Sequence, residues 1–245
     1  MMEHNNWNNP NITLLYFRYT KVKYADAFCK KGSIKFGTLK EWTTVYEKEQ
    51  IKGRGDPYEG TIGFANKMDI VNVRKLKKKY PEAEKMMFNN DNNVYFKRKR
   101  SLQLPSYCLY NVNVEKFKVP EQTGWQKTSA SIPPSYFKDF IDAEDFGNIE
   151  NLPYEERPAL IVINNTAEFR NRIIKYLMSI GCKEEEIIIS PIEYIDFTEK
   201  GWLDFNQKEP NELFIKSSEF KRQSEIRVVV NTDNQEVLDI LKKTC

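Results

Sequence analysis

Histidine is almost missing from this chain of 245 residues. His4 is the only one, and it stands in a polar start that carries Asn5, Asn6, Asn8 and Asn9. Ser-His-Asp hydrolases, Cys-His proteases, histidine metal sites and histidine general bases are therefore poor expectations. Glycine is scarce too, with 10 residues. Neither G-x-x-x-x-G-K-[ST] nor G-x-G-x-x-G occurs, which removes P-loop and classical dinucleotide-fold readings. Cys29, Cys108, Cys182 and Cys245 stand far apart with no C-x-x-C pair, so zinc knuckles and redox dithiols lose support. No run approaches the roughly 20 apolar residues of a membrane helix, and residues 1–10 lack the apolar core of a secretory signal. The expectation is a reduced, cytoplasmic protein without a membrane segment, frayed over residues 1–10.

What is present is enough for a packed core. Hydrophobic residues make up 40% and aromatics 13%, and a chain of this length buries most of its apolar surface without staples. The pattern predicts strands at Thr13–Tyr19, Ser33–Phe36, Thr61–Ala65, Val94–Lys97, Tyr107–Val112, a central strand at Ala159–Ile163, a strand region at Glu186–Ile195, then Leu213–Lys216 and Ile226–Val230. Helices are predicted at Tyr24–Lys30, stopped by Gly32, at Lys40–Glu49, Val71–Tyr80, Pro133–Phe140, Ala167–Ile180 behind the cap Asn165, and Gln235–Lys242. Helices recur at irregular intervals among strands, which fits α+β better than a doubly wound sheet. Without an internal repeat or long linker, residues 11–245 read as a single domain with a mostly antiparallel sheet.

The net charge of +3 hides two patches. Lys67–Arg100 holds eleven basic residues against four acids, a balance of +7, beside Tyr80, Phe88, Tyr95 and Phe96. Such a segment can track a phosphate backbone, or simply solvate a helix face. Asp139–Glu156 holds seven acids and no base and reads as a surface loop.

Three constellations can carry chemistry. In Phe17-Arg18-Tyr19-Thr20, an Arg leaving a strand beside aromatics can grip a phosphate or stack a base; it can equally be an ordinary surface Arg. In Arg54-Gly-Asp56-Pro-Tyr-Glu59-Gly60, a rigid loop presents Arg, Asp and Glu; the alternative is a structural turn whose Asp accepts backbone N–H bonds. In Lys216-Ser-Ser-Glu219-Phe220-Lys-Arg-Gln-Ser-Glu225-Ile-Arg227, a carboxylate opens an apolar strand. Glu225 there can grip a ribose hydroxyl or stabilise a cationic sugar, or it can pair with Arg227 or Lys216 on the sheet.

These residues carry a resemblance. The aromatic-Arg-Tyr-Thr strand, the Gly32-Ser-Ile-Lys-Phe36 turn, the Arg54-Gly-Asp56-Pro-Tyr-Glu59-Gly60 loop and the closing Lys216, Phe220, Glu225-Ile-Arg227 series resemble uncharacterised bacterial phage-resistance proteins of the abortive-infection AbiG type. Arg222-Gln-Ser-Glu225-Ile-Arg-Val228 also resembles the catalytic-Glu segment of DarT-type DNA ADP-ribosyltransferase toxins. There this chain has Arg18 where the DarT-type strand carries His, and Ser129-Ala-Ser131 is a poor substitute for the superfamily's Ser-Thr-Ser strand. The resemblance implies an ADP-ribosyltransferase-like fold with a split central sheet and NAD as substrate without a metal. It implies Glu225 as catalytic acid, with Arg54 as an accessory arginine near the acceptor. Arg18, Tyr19, Thr20 and Tyr24 would hold NAD. Asp56, Glu59, Lys216 and Glu219 would face the acceptor, a nucleic acid or protein, and an antitoxin or defence-system partner would restrain a toxin. Two rivals stand beside this reading: a non-catalytic defence component that binds nucleic acid or a phage protein through Lys67–Arg100, and a metal-dependent nuclease using Asp56, Glu59 and Glu225.

Overall fold

Aromatic and β-branched residues in Thr13–Lys21 form strand β1, the second strand of a five-stranded sheet in a computed structural model. The structure describes residues 13–49, 56–88, 92–113, 148–197 and 202–243. The expected fraying of 1–10, the Pro133–Phe140 helix and most of the acidic stretch lie outside them, as do Ser129 and Ser131.

The remaining strands are β2 (Thr61–Asn66), β3 (Ala83–Met86), β4 (Asn93–Arg98), β5 (Ser106–Asn113), β6 (Pro158–Ile163), β7 (Ile187–Pro191), β8 (Glu193–Ile195), β9 (Trp202–Asp204), β10 (Ile215–Ser217) and β11 (Glu225–Val230). The helices are α1 (Val22–Lys31), α2 (Leu39–Glu49), α3 (Ile70–Lys79), α4 (Thr166–Ser179) and α5 (Gln235–Lys243). The first sheet runs β6-β1-β5-β11-β7 and the second β3-β4-β2-β9, both antiparallel throughout, while β8 and β10 make a short parallel pair. The architecture is α+β, mostly antiparallel and a single domain, as the pattern predicts.

Local chemistry sets the element ends. Gly32 closes α1 in the left-handed region at φ 65, a conformation that costs glycine little. Asn165 Oδ1 accepts the Glu168 N–H at 3.0 Å and caps α4; Asp69 Oδ1 accepts the Asn72 N–H at 3.1 Å and caps α3. Pro81 follows the α3 cap residue Tyr80, and a residue before proline avoids the helical region.

Three expectations change. Ala159–Ile163 belongs to an edge strand rather than a central one, pairing only with β1 among the described residues. Pro158 at its start lacks an N–H and is tolerated there. Ser33–Phe36 is not a strand; the ladder contact there is the isolated bridge Gly37–Ser106, while the Phe36 ring packs against Tyr107 of β5. Leu213 and Phe214 form a 3₁₀ turn over Asn211–Phe214, so β10 begins at Ile215. The short strands β3 and β9 carry too little pattern to be anticipated.

The five-stranded sheet buries both faces. On one, Tyr16, Tyr107, Leu109, Ile226 and Val228 pack with Ile173 and Leu177 of α4 and Val237 and Leu241 of α5. On the other, Val229 packs with Leu39, Leu102, Leu104 and Leu213. In the second sheet, Ile62 and Phe96 face Leu76 of α3, while Phe64 and Tyr95 join Phe197 and Ile215.

Candidate functional site

Side chains alternate along a strand, so Glu225 and Arg227 share one face of β11 while Ile226 and Val228 enter the helix-side core. The loop before β2 and strand β10 bring three more charged groups to that face. Asp56, Glu59, Lys216, Glu225 and Arg227 are all buried, and Glu225 keeps the largest exposure of the five, 8%.

Arg227 is the hub. Its Nη2 lies 2.5 Å from Glu59 Oε1 and 2.5 Å from Glu225 Oε1, its Nε donates to Glu225 Oε1 at 3.0 Å, and its Nη1 donates to the Leu213 carbonyl at 2.5 Å. The Trp42 ring lies 5.5 Å from the guanidinium carbon. Lys216 Nζ donates to Gln223 Oε1 at 2.6 Å and to Glu225 Oε2 at 3.1 Å, and lies 3.5 Å from Glu59 Oε1. Asp56 is held differently: its two oxygens accept the Ser217 N–H at 2.7 Å and the Tyr58 N–H at 2.8 Å. Lys97, also buried, donates to the Pro57 carbonyl at 2.6 Å beneath the same loop.

The electrostatics divide the carboxylates. Burial opposes ionisation of Glu225, but the Arg227 and Lys216 cations outweigh it and hold the carboxyl down at about 2. Burial, followed by the negative charge of Glu59, pushes Asp56 up to about 6, against the pull of its two N–H donors. Burial would lower Lys216, yet Glu225 and Glu59 raise it. Burial and the Glu225 charge raise both the Cys108 thiol and the Tyr194 phenol.

The backbone around Glu225 is equally fixed. Its N–H donates to Tyr194 Oη at 2.8 Å and its carbonyl accepts the Ile192 N–H at 2.9 Å. Ser224, immediately before it, sits at φ 40, ψ 55, a left-handed conformation that costs a non-glycine residue energy and gathers at functional sites. Ser224 Oγ donates to the Asn111 carbonyl at 3.0 Å and holds the turn against β5.

The structure thus joins the Asp56–Glu59 loop to Lys216 and Glu225. Glu219 lies nearby in sequence, exposed on the 3₁₀ turn Ser218–Gln223 that links β10 to β11. Arg54 lies outside the described residues. Arg18 is not part of the cluster. It shares the helix-side face with Tyr16, stacks 4.4 Å over the Tyr107 ring and donates to the Cys108 carbonyl at 2.6 Å. The five-stranded sheet itself separates Arg18 from the Glu225 carboxylate. Tyr19 and Thr20, half-buried, continue β1 along its pairing with Leu160 and Ala159, and Tyr24 is exposed on α1. Tyr194, Gln223 and Lys97 join or support the cluster without any sequence signal beyond their polarity. Among the described residues, no group of three or more His, Cys, Asp or Glu side chains is arranged to hold a metal ion.

No family model, curated protein or solved structure matches this chain. No helix among the described residues is long and apolar enough to cross a membrane.

Proposed function

We propose that the Asp56–Glu59 loop and the Lys216–Arg227 segment form the catalytic centre of an ADP-ribosyltransferase-like enzyme, a phage-defence effector or toxin that takes NAD as substrate. The observation that carries the reading is convergence. Two motifs separated by more than 150 residues meet at Glu225, a carboxylate kept ionised by Arg227 and Lys216 and aimed by the strained turn at Ser224.

The chemistry suits that carboxylate. The bond between the nicotinamide nitrogen and ribose C1′ breaks, and its electron pair leaves with neutral nicotinamide. The ribose that remains has oxocarbenium character, which a fixed carboxylate stabilises. A nucleophile of the acceptor, a nucleic acid or a protein, then bonds to C1′ and gives up its proton. Exposed Glu219 stands on the 3₁₀ turn of the same segment to take it. The residues fit NAD in part: the carboxylate is in place, while Arg18 does not reach it across the sheet. The assignment therefore rests on Glu225 and its loop, and Arg18 serves β1–β5 packing.

The test uses NAD labelled in the adenylate moiety, incubated with the full chain alone and with DNA, RNA or cell extract. The wild type is expected to transfer label, and Glu225→Gln, shown folded by its thermal melt, is expected to lose at least 100-fold of that rate, roughly the loss of one transition-state electrostatic contact. Transfer undiminished in Glu225→Gln overturns the assignment. So does a wild type that neither binds NAD by calorimetry nor releases nicotinamide with any acceptor.

A further inference from the structure

The eleven basic residues of Lys67–Arg100 fall into two groups. Four are spent on the fold: Lys79 on Asp204 and Asn206, Lys97 on the Pro57 carbonyl, Arg98 on Glu212 and the Gln207 carbonyl, and Arg100 on Asp233, Glu209 and Asn231. The other seven are exposed, and Arg74, Lys75, Lys77 and Lys78 among them lie on α3. That helix contains no acid; its cap, Asp69, is tied to Asn72 by both carboxylate oxygens. Its apolar stripe, Val73 and Leu76, is turned onto β2 and β4. The outer face therefore presents cations along its last two turns. Arg74 and Lys78 are one turn apart, about 6 Å along the axis. Lys75 also lies 4.7 Å over the partly exposed ring of Trp202 on β9.

We propose that the outer face of α3 is a nucleic-acid docking surface that grips the phosphate backbone without reading sequence. Charge complementarity selects this occupant: a row of exposed cations on a helix that carries no acid of its own matches a polymer with evenly repeated negative charge. An anionic membrane surface fits less well. An interfacial helix buries a continuous apolar stripe in the lipid, whereas α3 has spent its stripe on the sheet. Its exposed apolar side chains, Ile70 and Val71 beside Met68, are confined to the first turn and the residues before it. The inference goes beyond the transferase reading and stands without it, since it invokes neither NAD nor Glu225.

The experiment is fluorescence anisotropy of the full chain with labelled duplex DNA and single-stranded RNA, in roughly 50 to 250 mM NaCl. The expected result is binding whose log Kd against log salt has a slope of magnitude about 3 to 4 for duplex DNA, from four neutralised phosphates. The variant Arg74→Ala/Lys75→Ala/Lys78→Ala touches only exposed positions and introduces a good helix former. It is expected to bind at least tenfold more weakly and to reduce that slope by about 3. Arg172→Ala/Lys175→Ala, on the exposed side of α4, is expected to bind like wild type. Absence of binding at low salt, equal binding by the α3 variant, or tighter binding to phosphatidylserine vesicles than to either nucleic acid overturns the proposal.

Discussion

At the scale of single residues, Arg227 and Glu225 set the energetics of the centre. Removing one partner of a buried ion pair leaves an uncompensated charge and costs about 3 to 5 kcal/mol. Arg227→Ala strips Glu59 and Glu225 of the nearer of the two cations they share, so its urea-unfolding free energy is expected to fall by that amount. A loss below about 1 kcal/mol contradicts the hub role. The pH dependence has a definite sign. Glu225 titrates at about 2 in the fold, below its ordinary value. Its contribution is complete above the ordinary carboxylate range and is lost as pH falls toward 2, of order 3 kcal/mol in all. Asp56 runs the other way. Its value of about 6 lies above the ordinary one, so its contribution is full at low pH and is lost as pH rises through 6. Unfolding free energies measured from pH 5 down to pH 2.5 are expected to drop more steeply in wild type than in Glu225→Gln; parallel curves contradict the assigned ionisation. Much of this was legible in the sequence. The Glu225–Arg227 spacing places both on one strand face, and the loop alternative named Asp56 as an acceptor of backbone N–H bonds, which it is. The roles of Tyr194, Gln223 and Lys97 were not legible, because a polar residue's partner depends on contacts distant in the chain.

Among elements, α3 and β2 show how the second sheet is closed. A Cβ built on Gly63 would meet Leu76 Cδ2 at 2.9 Å and the Leu203 carbonyl at 3.0 Å. β2 thus needs glycine where α3 and β9 approach from two sides. Gly63→Ala is expected to destabilise by about 1 to 3 kcal/mol, as overpacking does, measured as a lower melting temperature; an unchanged melt contradicts the close approach. Long elements with strong periodicity were the legible ones: β1, β5, α4 with its Asn165 cap, and the Gly32 stop of α1. The edge position of β6 was not, because an apolar run suits a central strand as well as an edge strand backed by a core. Leu160 and Val162 point away from that core and are exposed. β3 and β9 have four and three residues, too few for a period of two to stand out.

For the whole molecule, the charged cluster is the joint between the two sheets. Glu59 leads into β2 of one sheet, Arg227 sits in β11 of the other, and Lys216 lies on the short β10 between them in sequence and contacts. A site placed at such a joint couples its geometry to the entire fold, and a rigid, pre-ionised carboxylate follows from that coupling. The α+β class and antiparallel preference were readable from composition and order. The convergence of positions 56–59 with 216–227 was not, since spacing along the chain does not encode which loops meet. The transferase reading makes this joint a reaction centre, and nicotinamide release tests it most directly. Wild-type protein and Glu225→Gln, compared at equal folded fraction, are incubated with NAD with and without nucleic acid or protein acceptors. The account predicts release by the wild type and a loss of at least 100-fold in the variant. Equal release by both, or none by the folded wild type with any acceptor, contradicts it.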